Sequence, residues 1–187
     1  MTAVQIIDTT VDIEFLEGEN PRPMDQTTIL AGVGQMAALI SSLDWEDRFK
    51  RAFEIMKKIV FFEGTIVVNT HAIDRPCCDE DDAIFYWEAG EFLFNPDPRT
   101  RAVTFFHDCW HVVQFRAAGN RFAEENERVA REVDAIERQL EVAKILQCRQ
   151  EDIDFWKAYE NNQQAILARL EQGVDRMIHA KPDTQLA

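Results

Sequence analysis

The stretch that most constrains this chain is 105–115, Phe-Phe-His-Asp-Cys-Trp-His-Val-Val-Gln-Phe, where two of the four histidines lie four residues apart in a strongly apolar run. Read as a helix at ~100° per residue, it places His107 and His111 ~40° apart on one face, one turn above the other. Gln114 shares that face, while Phe105, Phe106, Cys109, Val112 and Val113 point elsewhere. Such a helix belongs at the centre of a fold, with its single polar stripe turned into a cleft. A polar stripe shielded from water needs partners. Two imidazoles one turn apart can share a metal ion, and zinc favours such ligands. The competing explanation is a pair of histidines with ordinary hydrogen bonds.

The flanks bound this helix well. Asp97-Pro98 puts an acid at the cap and proline in the first turn, and Gly119-Asn120 is a stop, which predicts a helix over 98–118. A second helix is expected over 122–147, with Val129, Val133, Ile136, Leu140 and Ala143 as its stripe. A third is expected over 151–172, ending at Gly173. Upstream, Val11, Ile13 and Phe15 alternate with acids as in a half-buried strand. Asp25 and Asp44 are placed to cap helices over 26–42 and 45–61, the latter with Trp45, Phe49, Phe53, Met56 and Val60 on one face. Strands are expected over 65–70, 83–88 and 91–95, the last two as a hairpin across Ala89-Gly90, with 74–82 as a polar loop. His71 would sit at the end of a strand, as an ordinary loop histidine. The expected fold is a single α+β domain, mostly helical, with a small antiparallel sheet packed on the histidine helix and the helix after it. Its parts would be an N-terminal strand and helices (1–61), a core (62–147) and a C-terminal helix and tail (148–187).

Composition narrows the function classes. Acids outnumber bases 34 to 20, for a formal charge of −14. Nucleic acids and anionic membranes are met with Lys and Arg, so neither is expected as a partner. The charge likewise gives no long-range pull on an acidic substrate. The first fifteen residues carry no Lys or Arg, unlike a secretory signal. The uncharged stretch 26–43 contains serines, threonines, glutamines and glycines, and reads as a core helix rather than a membrane span. Of the four cysteines, Cys77 and Cys78 are adjacent and too cramped for an ordinary bridge. Reduced thiols and a cytoplasmic location are expected.

His107-Asp108-Cys-Trp-His111-Val-Val-Gln114 resembles the HExxHxxQ form of the zincin metallopeptidase helix. Downstream, Arg131-Glu132-Val133-Asp134-Ala135 resembles the glutamate segment of the gluzincin branch. The resemblance covers roughly 83–147. It implies zinc as cofactor, held by His107, His111 and Glu132, and a peptide or protein substrate. It implies that Asp108 is the general base and that an edge strand, taken as 91–95, aligns the substrate. The one departure is Asp108, where the family has glutamate; aspartate is shorter by one methylene.

On residue spacing alone, Glu125 competes with Glu132 for the third ligand position. It lies two turns earlier, ~10 Å along the axis, on nearly the same face. Asp134 falls off the stripe and reads as a solvated acid. His179 and Tyr159 are the candidates for an electrophilic group. Three functions follow in order: a zinc-dependent peptidase or amide hydrolase, a zincin-like binding or regulatory module without catalysis, and a metal-free structural protein. A di-iron bundle would need two ExxH units, and a second one is missing.

Overall fold

Every position of Ile59-Val60-Phe61-Phe62 is buried, and this run forms the middle of the fold. In the computed structural model, which describes residues 2–18, 24–68, 71–73 and 76–171, it belongs to strand β3 (Lys58–Glu63). Ile59 and Phe61 face one core and Val60 and Phe62 another. A strand buried on both faces has no polar alternation to announce it. The helix expected over 45–61 is therefore only α2 (Asp47–Phe53), and the chain enters β3 five residues later.

Strand β3 lies between β2 (Thr9–Glu17) and β7 (Ile84–Glu88), parallel to both. The edges are antiparallel: β1 (Thr2–Ile6) on β2, and β6 (Cys77–Asp79) on β7. The order is β1-β2-β3-β7-β6. The domain is α+β, as the sequence predicts, but its five-stranded sheet is mixed. The β2–β3 pair is parallel because α1 and α2 carry the chain back across the sheet, and the β3–β7 pair because β4, β5 and β6 intervene. A separate antiparallel pair, β4 (Ile66–Val68) and β5 (His71–Ile73), packs on the Val60/Phe62 face. Among the described residues no helix is long and apolar enough to cross a membrane.

Two expectations near the site fail. Residues 91–95 are not a strand: after β7 the chain enters α3 (Ala89–Phe94), because the Glu88 side chain accepts the backbone N–H of Glu91 and caps a helix. Conversely, the expected loop 74–82 contains β6, the outer strand of the sheet.

The helices match the sequence more closely. Helix α1 (Gln26–Ser41) is capped by Asp25, whose carboxylate accepts from the Thr28 backbone and hydroxyl. Gly32 is where α1 meets the buried Arg101. A Cβ there would stand 2.3 Å from Arg101 Nη1. The histidine helix is α4 (Pro98–Ala117), capped by Asp97. Gly119 and Asn120 end it with φ of 72° and 60°, and the Asn120 N–H returns to the Phe115 carbonyl at 3.0 Å. Its Ala102, Val103, Phe105, Phe106, Cys109 and Val112 are fully buried. Each large side chain contributes about 1.5–3 kcal/mol. Phe105 and Phe106 lie against Phe53, and Phe105 also meets Phe85 of β7. Helix α5 (Glu125–Ile145) packs along the polar side of α4, and α6 (Gln150–Glu171) packs on α5. The fully buried Ala135 lets α4 and α5 approach.

Candidate metal centre

The α4–α5 contact gathers the predicted ligands. His107 Nε2 and His111 Nε2 stand 3.0 Å apart. Glu132 reaches both, with Oε1 at 3.4 Å from His107 Nε2 and Oε2 at 3.1 Å from His111 Nε2. One donor atom from each of the three lies within 4.8 Å of the others, a group that could hold a metal ion. Glu132 thus pairs with both histidines. Glu125 sits in the first turn of α5, and its side chain lies outside the described residues.

The hydrogen bonds around the rings fix which nitrogens face the common point. Gln114 Nε2 donates to the Arg131 carbonyl and to Asp134 Oδ2, each at 2.8 Å. Its Oε1 therefore faces His111 Nδ1, at 3.0 Å, as an acceptor. An acceptor there requires a proton on Nδ1, which leaves the neutral ring's lone pair on Nε2. His107 is held the same way, with Nδ1 2.9 Å from Oε1 of the buried Gln139. Two lone pairs and a carboxylate converging on one point repel each other unless a positive charge lies among them. A divalent cation fits this donor set.

In its absence a proton serves. Burial opposes a charge on His111, but the hydrogen bond to Glu132 and the negative charges of Asp108 and Glu132 outweigh it, so its pKa is raised. Burial pushes Glu132 up, yet its hydrogen bonds to His107 and His111 prevail and hold it well below the usual carboxylate range.

The outer network is partly unforeseen. Gln114 is a support for His111. Asp134 is no solvated acid: it accepts from Trp110 Nε1 at 2.7 Å and from Gln114, and pairs with Arg138. It ties the two helices together and anchors the histidine support. Gln139 had no sequence signal beyond lying two turns after Glu132.

Asp108 is partly buried beside the triad, against Cys78 of β6. Burial raises its pKa above the ordinary value, opposed by the His107 and His111 charges and by a hydrogen bond from the Cys78 thiol. No disulfide joins Cys77, Cys78, Cys109 or Cys148.

Clefts open on both sides of the triad. On the His111 side a cavity of about 530 Å³ is lined by Cys77, Cys78 and Asp79 of β6 and by Arg128, Arg131 and Glu132 of α5. On the His107 side one of about 380 Å³ reaches Glu91, Trp156 and Tyr159. Glu132 lines both. The antiparallel edge strand beside the site is thus β6 and not 91–95. Tyr159 lines the second cleft, and His179 lies outside the described residues. His71 is in β5, with its side chain likewise outside them. No protein-family model, curated protein or solved structure matches the chain.

Proposed function

We propose that the chain is a zinc-dependent peptidase of zincin type, acting on peptide or protein substrates. The observation that carries this reading is the convergence of His107, His111 and Glu132 donors between two open cavities, His111 lining one, His107 the other and Glu132 both. Two imidazoles and a carboxylate, with room beside them, are the ligand set of a hydrolytic zinc site. When bound, zinc supplies Lewis acidity for a carbonyl and lowers the pKa of a coordinated water. The chain's own residues would do the rest. Gln139 and Gln114 orient the imidazoles. Asp108, with its pKa raised by burial, accepts a proton at its carboxylate and returns it to the leaving nitrogen. Strand β6 offers its free edge to an extended peptide. Four cysteines without a disulfide among them fit a reducing compartment such as the cytoplasm.

A second reading, a metal-holding module without hydrolysis, is favoured by Asp108 itself. Its carboxylate reaches on the order of 1 Å less than a glutamate, and a misplacement of that size costs ~100-fold in rate.

The test is metal content of protein purified without chelator, for wild type, His107→Ala and Glu132→Ala. Stoichiometric zinc in the wild type, lost in both variants, is expected. A metal-free wild type that also fails to take up added zinc overturns both readings. Peptide hydrolysis then separates them. Activity abolished by Asp108→Asn supports the peptidase; activity that only Asp108→Glu creates supports the non-catalytic module.

A further inference from the structure

The cavity on the His111 side holds two arginines that the peptidase reading leaves unused. Arg128 and Arg131 lie early in α5, Arg131 directly before Glu132. Arg131 Nη2 donates to the Arg121 carbonyl at 3.3 Å, while its buried Nη1 has no hydrogen-bond partner among the described residues. Arg128 Nε donates to the Ala123 carbonyl at 3.3 Å. Neither forms an ion pair among the described residues. Of the arginines beside them, Arg121 pairs with Glu127 at 2.7 Å, while Arg116 donates to the Asp81 carbonyl and to Asn120. What sets Arg128 and Arg131 apart is that both line the one cavity beside Glu132.

The acids in the same wall do not pair with them. Asp79 Oδ1 is taken by the backbone N–H groups of Asp81 and Asp82, both at 3.1 Å. Glu80 senses both arginines without reaching ion-pair distance of either. The rest of the lining includes Val68, Ile73, Tyr86 and Phe122, an apolar wall suited to the stem of a side chain. Two guanidinium groups on one cavity wall can meet a carboxylate through charge-assisted, bidentate hydrogen bonds.

We infer that this cavity seats an anionic group of the substrate, so that the bond to be cut lies beside a carboxylate held by Arg131 and Arg128. The carboxylate belongs to an acidic side chain or to a free peptide C-terminus. The net charge of −14 does not oppose this at contact, because exposed charges are screened beyond about 8 Å at physiological salt. The inference rests on the peptidase reading.

Three peptide hydroxamates test it on the zinc-loaded protein by calorimetry. They share one backbone and end in a glutamate amide, a free alanine carboxylate or an alanine amide. The expected result is that an acidic probe binds about 10-fold tighter than the neutral amide, and which acidic probe does so identifies the source. That ratio falls toward 1 in Arg131→Met, is partly kept in Arg131→Lys, and rises in Glu80→Gln, where a competitor for the arginines is removed. Thermal melts and zinc stoichiometry confirm that each variant is folded and loaded. Equal binding of all three probes to the wild type overturns the inference alone, as does a ratio that survives in the Arg128→Met/Arg131→Met double variant. A protein that binds no hydroxamate refutes the peptidase reading and the inference with it.

Discussion

Replacing Gln139 by leucine removes the acceptor that orients His107 while nearly preserving side-chain volume. In the native protein Gln139 Oε1 lies 2.9 Å from His107 Nδ1 and keeps the ring's proton there. Without it the proton can move to Nε2, the atom turned toward His111 and Glu132, and the ring can rotate. Loss of such a supporting partner costs ~10–100-fold in metal affinity, or about 1.4–2.8 kcal/mol. The leucine also leaves the Nδ1–H without a partner, which costs about 1–3 kcal/mol of metal-free stability, offset in part by apolar packing. Zinc affinity measured by competition with a chromophoric chelator reads the first effect, and urea unfolding in excess chelator reads the second. Gln114→Leu should weaken zinc to a similar degree through His111. Asp134→Asn, one hydrogen bond further out, should weaken it less, because the asparagine oxygen still accepts from Gln114 or Trp110. A Gln139→Leu protein that binds zinc within about 3-fold of wild type refutes the claim that this hydrogen bond sets the ligand geometry.

Other outcomes follow from the same contacts. In the metal-free protein, Glu132 has a depressed pKa, so its contribution is full above about 4.5 and is lost as pH falls; His111 has a raised pKa, so its contribution is full below about 6.5 and is lost as pH rises. Site stabilisation should therefore peak between those values without zinc, whereas zinc, which competes with protons for the histidines, should stabilise more as pH rises to 8; melts with and without zinc across pH 4–8 check this. Gly32→Ala would drive a methyl group into Arg101 Nη1 at 2.3 Å and Phe92 at 2.9 Å, and should cost about 1–3 kcal/mol in urea unfolding. Asp97→Ala removes the cap of the histidine helix and should cost about 1 kcal/mol, a loss that vanishes at low pH once the Asp97 carboxyl, held below its usual value by Arg99, is protonated.

The parts of the site that were legible in the sequence are those set by local periodicity. His107, His111 and Gln114 share a face because they lie on one helix, and Asp97, Pro98, Gly119 and Asn120 bound that helix by their own backbone chemistry. The misreadings have one cause. Trp45, Phe49, Phe53, Met56 and Val60 fit a helical stripe, yet burial on both faces of the sheet also makes 59–62 apolar at every position, and only packing separates the two. Residues 91–95 are aromatic-rich like a strand, but Glu88 caps a helix there. Strand β6 is too short, and too polar around Cys77-Cys78, to be seen before β7 pairs with it. Asp134 looked like a surface acid because Trp110 and Gln114 reach it from another helix.

The sequence by itself determined that the chain builds a central helix with one polar stripe, that two imidazoles share that stripe, and that the surface is acidic. These follow from residue types at fixed helical spacing, which any fold must respect. Tertiary structure alone decided that Glu132 completes the triad, that Gln139 and Gln114 hold the ring tautomers, that β6 lies beside the triad, and that Arg128 and Arg131 line the adjoining cavity. Each depends on the distance between α4 and its neighbours across a turn or a sheet. That distance is set by the packing of Ala135, the buried phenylalanines and β3, and no local pattern records it.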